Sequence, residues 1–255
     1  MFDTLLATAA LSPFQLSIAL VAAFGAGLVR GFSGFALSAL LMASIALMIP
    51  PVELIAVCWM LELSASLLMV RGGIANADRT IVTGLVAGSL VGAPIGLALT
   101  NAVPLDVSKA IALSLIIGLA LLQLLKVRAT FLATRPGLLA SGAMAGIATG
   151  LASVGGMVVA LYVLAREQAA VSMRASLVMF LFVNSFFGFV FLLLFRMMDQ
   201  TALARGALLV IPCMIGVFLG KKLFTPRLEP YYKPFCLLLL IGLAAAGMVR
   251  LALGL

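Results

Sequence analysis

The chain has 255 residues, of which 65% are apolar and 9% charged, with 16 Lys and Arg against 8 Asp and Glu and no histidine. Soluble globular domains carry roughly 25% charged residues, so a soluble fold is excluded, and the +8 net charge, spread singly between hydrophobic runs, reads as topology signals rather than a nucleic-acid surface. Without histidine there is no histidine metal site, haem ligand or Ser/His pair, and no cofactor and no metal are expected.

In chain order, the opening residues contain Asp3 and no Lys or Arg before Ser12-Pro13, so the basic start of a signal peptide is missing and the first apolar segment should stay in the mature protein. Residues 1–13 and the few after Met248 are too short to fold alone, which leaves one membrane domain over 1–255. Apolar length then gives ten segments, at about 14–30, 35–49, 52–70, 80–100, 107–125, 137–153, 157–165, 170–195, 202–219 and 234–253. A helix needs about 20 residues to cross the bilayer, so 35–49 and 157–165 read as half-helices beside broken ones.

Each of these follows a glycine-rich break, Gly27 to Ala36 in one case and Gly146 to Gly156 in the other, about 119 residues apart. Gly27 matches Gly146 and Gly31 matches Gly150; further on, Gly92-x-x-x-Gly96 answers Gly216-x-x-x-Gly220. Leu115 to Ala120 likewise answers Leu239 to Ala244, and three blocks in one order mark a duplication, with repeat one at about 14–125 and repeat two at about 137–253. The expected fold is an all-α integral membrane protein of two inverted repeats.

Five crossings per half would make the repeats antiparallel. Twelve basic residues, among them Arg30, Arg71, Arg128, Arg166, Arg174, Arg227 and Lys233, would then face four, Lys109, Arg196, Arg205 and Arg250. Four crossings per half would divide them evenly, so the positive-inside bias selects the antiparallel arrangement and puts both termini outside the cytoplasm.

Backbone that leaves the helix in hydrocarbon must be buried in protein or line a wet cavity, so the two breaks are expected to face each other at a central site. Half-helix N-termini near Phe35 and Met157 offer N–H groups and partial positive charge, which suits anions. The candidate binding residues are Arg30, Gly31, Ser33 and Gly34 of the first break, Ser153, Gly155 and Gly156 of the second, and Arg174 and Asn184 beyond it. Arg30 offers a planar, permanently charged fork, and Glu62, mid-segment, is the candidate proton carrier. Plainer readings stand beside these. The glycines also suit close helix packing, Arg30 and Arg174 an edge anchor, Glu62 a buried ion pair with an arginine, and Asn184 and the serines helix-to-helix or back-to-helix bonds. Cys58, Cys213 and Cys236 read as small core residues, Trp59 and Phe186-Phe187 as packing, and Glu53 as a first-turn acid against its helix dipole.

With these motifs the chain resembles the TauE/SafE sulfite exporter family, the 4-toluene sulfonate uptake permease transporters. The family's mark is a glycine-rich stretch early in each half. Gly27, Gly31 and Gly34 supply it here, with Ala36 and Leu37 where further glycines are common, and then Gly146, Gly150, Gly155 and Gly156. The resemblance implies a bacterial-type inner-membrane transporter of small sulfur-containing anions, such as sulfite or sulfoacetate, often proton-driven. A carboxylate transporter and an anion channel are the alternatives. Expected partners are the anion, protons, bilayer lipid and, as an open option, a second copy of the chain. An intramembrane protease reading of Gly31-Phe32-Ser33-Gly34 fails for want of a base beside the serine, so no enzyme is expected.

Overall fold

The computed structural model describes residues 2–127, 134–165, 170–223 and 229–254. Arg128, Arg166 and Arg227 of the charge argument lie outside the described residues, as does the side chain of Lys233. The described chain forms helices α1 Phe2–Ala9, α2 Pro13–Ser33, α3 Leu37–Ile45, α4 Pro51–Asn76, α5 Arg79–Ala102, α6 Leu105–Leu124, α7 Arg135–Ala152, α8 Gly155–Ala165, α9 Ala170–Leu194, α10 Gln200–Leu223 and α11 Glu229–Ala252. Seven of them, α2, α4, α5, α6, α9, α10 and α11, contain stretches long and apolar enough to cross a membrane.

Local chemistry sets the ends. Ser12 and Gln15 form a reciprocal capping box before Pro13. Pro50-Pro51 opens α4, and Asp78 caps α5 by accepting from the N–H groups of Thr80 and Ile81. The apolar segment read as 52–70 is a helix reaching Asn76, because hydropathy marks the slab while the helix runs on into the polar boundary. α1 has no counterpart in the sequence reading. It gains stability by docking on α10, where the buried Arg205 donates from Nε to the Ala9 carbonyl at 2.8 Å.

Both glycine breaks end a helix with a left-handed residue: Gly34 at φ +83° after α2 and Ser153 at φ +57° after α7. Ala36 is left-handed as well, at φ +71°. A half-helix of 9 residues follows the first break and one of 11 the second. The other break glycines serve packing. α2 lies along α10, and α7 along α5. A Cβ on Gly27 would fall on the Cys213 carbonyl, and one on Gly146 would come within 2.6 Å of the Ser89 carbonyl oxygen. Gly92, Gly96, Gly216 and Gly220 meet backbone in the same two seams, so backbones touch where lipid supplies no hydrophobic push between helices.

α4 packs on α9 and α6 on α11. Phe186 and Phe187, read as packing residues, are 56% and 39% exposed and face outward, while Trp59 packs inward, stacked on Phe189 at 5.2 Å. The three cysteines are buried.

Gly146→Val should therefore cost about 3 kcal/mol by overpacking and reduce the yield of monodisperse protein. Gly118→Ala, where nothing lies within 4 Å, should be neutral or stabilising by up to about 1 kcal/mol. Thermal unfolding in detergent checks both.

Candidate functional site

Arg30, in the last turn of α2, is 0% exposed. A guanidinium keeps its charge when buried, so it must find partners. Its Nε lies 3.1 Å from Glu62 Oε2 of α4, and its Nη2 donates to Ser66 Oγ at 3.0 Å. Nη1 has no hydrogen-bond partner among the described residues. The residues proposed from sequence as anion holder and proton carrier are thus each other's partners, which is also the plainer reading of Glu62.

The other carboxylate oxygen of Glu62 accepts from Ser38 Oγ at 2.9 Å and from Ser38 N at 3.4 Å. Ser38 is in the first turn of α3, and the residue capping that helix, Ala36, offers no side-chain bond. Glu62 therefore supplies the negative charge that a half-helix N-terminus favours. In the first half this anion position is filled from within the chain.

The breaks' carbonyls are satisfied in parallel ways. Arg174 Nη2 donates to the Gly31 carbonyl, and Thr100 Oγ1 donates to the Gly150 carbonyl at 2.8 Å. Ser33 bonds back to its own break, its hydroxyl 2.7 Å from the carbonyls of both Val29 and Phe35. Gly34 backs onto the Arg174 side chain, with an added Cβ 2.8 Å from Cγ. Gly155 leaves room for the Thr149 hydroxyl and the Ala145 carbonyl. A Cβ on Gly156 would lie 3.8 Å from that of Phe35, so the breaks meet.

Beside them lies a cavity of about 60 Å³ between α4, α5, α7 and α9, lined by Glu62, Thr149, Ser153, Asn184, Ser185 and Trp59 among others. A single water needs only about 10–15 Å³, so the cavity has room for a small group. The Asn184 carboxamide oxygen accepts from Ser89 at 2.9 Å, leaving the amide nitrogen as the group it can offer. Trp59 Nε1 donates to the Ser185 carbonyl at 2.7 Å.

Of the sequence candidates, the structure brings Glu62, Ser153 and Asn184 onto one cavity, with Arg30 directly behind Glu62. Ser33 braces the first break, and Arg174 lines a different cavity. Thr149, Ser185, Ser38 and Ser66 were missed. The offset pairing Gly31 with Gly150 was the available signal for two of them, because it sets Thr149 against Arg30 and Ser185 against Ser66, as well as Leu181 against Glu62. Glu53, read as a plain first-turn acid, also pairs with Arg205. Arg30 and Arg205 are thus both held in ion pairs with α4 carboxylates, and each belongs to a different side of the charge count.

A multi-pass helical bundle with broken helices meeting at a largely apolar cavity that carries a few polar side chains is an architecture membrane transporters use. The TauE/SafE sulfite exporter family model matches residues 19–247, and the chain belongs to that family. No curated protein and no solved structure matches it.

Truncating one member of the ion pair strands the other. Glu62→Leu alone should destabilise by about 3–5 kcal/mol, while Arg30→Met with Glu62→Leu should lie near wild type. Thermal unfolding of the two variants in detergent measures the difference.

Proposed function

We propose that the chain is a proton-coupled, alternating-access transporter of a small sulfur oxyanion, sulfite or a short organosulfonate such as sulfoacetate. It would sit in a bacterial-type inner membrane with both termini outside the cytoplasm. The observation that carries this reading is the cavity wall formed by Glu62, with Arg30 sealed behind it and Ser153 and Asn184 opposite.

Glu62 lines this small cavity, so an entering anion meets a like charge. A proton on Glu62 removes that repulsion and loosens its hold on Arg30, whose fork can then serve the anion. Anion and proton therefore load together. Ser153, the amide nitrogen of Asn184 and the first N–H groups of α8 at Gly155 and Gly156, which have no carbonyl behind them in the helix, complete the neutral donor set. Gly31 and Gly34 let the first break approach, and Arg174 holds it in place.

The packing supports an inverted repeat. α2 of the first half lies on α10 of the second, α7 of the second lies on α5 of the first, and α4 and α6 each pair with the element in their own place in the other half, α9 and α11. Rocking of one repeat against the other would expose the cavity to alternate sides.

Methanesulfonate stays anionic across the working pH range and isolates the protein's own proton. In proteoliposomes its half-saturating concentration should rise with pH, by up to about tenfold per pH unit, the limit for uptake of one proton. Glu62→Gln should abolish that dependence while transport persists; a pH dependence retained in Glu62→Gln would remove Glu62 from the coupling.

A further inference from the structure

The seam between α4 and α9 carries more than the cavity at the breaks. On α4, Trp59 and Glu62 line that cavity, and the same helical face continues through Ser66 to Met69, Gly73 and Asn76. These last three line a second cavity of about 110 Å³. α9 is divided in the same way, with Leu181 and Ser185 on the first cavity and Arg174 and Val178 on the second. The cluster of Arg30, Glu62 and Ser66 sits where one cavity gives way to the other. Met69 and Val178, 4% and 3% exposed, form the apolar end of the second.

The chemistry of the second cavity differs from that of the first. Two cations line it, Arg174 and Lys221, and no carboxylate does so among the described residues. Lys221, in the last turn of α10, is exposed and makes no ion pair with a described residue. Arg174 is not a loose surface charge, because its Nη2 donates to the Gly31 carbonyl of the first break. The cavity's positive wall is thereby tied mechanically to the backbone beside the ion pair, and the Lys221 amide itself lies against Gly31. A displacement of the first break would move both cations' surroundings.

We propose that this second cavity is an anion station on the far side of the ion pair, where Lys221 and Arg174 hold the transported oxyanion before or after it passes Glu62, and that the α4–α9 seam is its path. The proposal rests on the transport reading above. It adds a site of opposite character to the first, with fixed positive charge in place of neutral donors and a proton-dependent carboxylate. Positive charge at this mouth concentrates the anion, and the apolar end at Met69 and Val178 keeps it from leaking through.

Lipid phosphate is an oxyanion too, so the test separates solute from headgroup. Sulfite flux is measured in right-side-out and everted membrane vesicles carrying wild type, Lys221→Glu or Lys221→Arg. Lys221 is exposed, so the variants should fold. Lys221→Glu should raise the half-saturating sulfite concentration at least about tenfold, a single charge reversal beside the anion, when sulfite is offered on the Lys221 face. It should leave the opposite face unchanged, and Lys221→Arg should match wild type. The same asymmetry should appear in oriented proteoliposomes of phosphatidylcholine alone. An effect seen only when phosphatidylglycerol is present would assign the cavity to a lipid headgroup and overturn the proposal. Wild-type flux with Lys221→Glu indifferent, or equally impaired from both faces, would overturn the proposal alone. No wild-type sulfite flux in either vesicle would overturn the transport reading and the proposal with it.

Discussion

A guanidinium with no exposure to solvent or lipid dictates the arrangement of the first half of this protein. Arg30 cannot shed its charge, so it has to be met by a carboxylate and by further acceptors. Glu62 and Ser66 meet it from α4. Because Glu62 also bonds the first turn of α3, one ion pair fixes the relative positions of the helix before the break, the half-helix after it and the helix that follows. The same requirement, that polar groups away from water find partners, explains why the carbonyls of Gly31 and Gly150 each receive a side chain from a distant helix.

The two halves answer that requirement differently, and the difference has functional meaning. Where the first half has Arg30, Glu62 and Ser66, the offset of the breaks gives the second half Thr149, Leu181 and Ser185. All three of these line the cavity. An internal ion pair thus stands in one half opposite uncharged side chains in the other, and the cavity lies where they meet, with Glu62 and all three neutral residues on its wall. On the transport proposal, one charged and one uncharged break would together form a single site in which the ligand's charge is exchanged for that of an internal carboxylate.

Much of this was legible in the sequence because it is written locally. Gly27 to Ala36 and Gly146 to Gly156 marked the breaks, Pro50-Pro51 marked the start of α4, and the short segments at 35–49 and 157–165 appear as α3 and α8. Partnerships were not legible, since they depend on which faces meet. Glu62 and Arg30 each stood out as costly within a span, and an arginine partner for Glu62 was one of the readings, yet nothing along the chain said that the partner is Arg30. Arg174 matched the profile of a site residue but reaches the break's backbone and a different cavity. The cationic pairing of Glu53 and the docking of α1 depend on Arg205, which sequence had counted only as a topology charge. Glycine patterns, in turn, do not distinguish a turn from a seam: Gly34 is a break through its φ angle, whereas Gly27 and Gly146 are contacts.

The central claim is that the anion takes its place at the cost of Glu62's negative charge. The direct measurement is calorimetric titration of methanesulfonate into the purified protein in buffers of different ionisation enthalpy, which counts the protons taken up on binding. Uptake approaching about one proton per anion in wild type, absent in Glu62→Gln, is the predicted result. Binding of methanesulfonate by wild type with no proton uptake at any pH would contradict it.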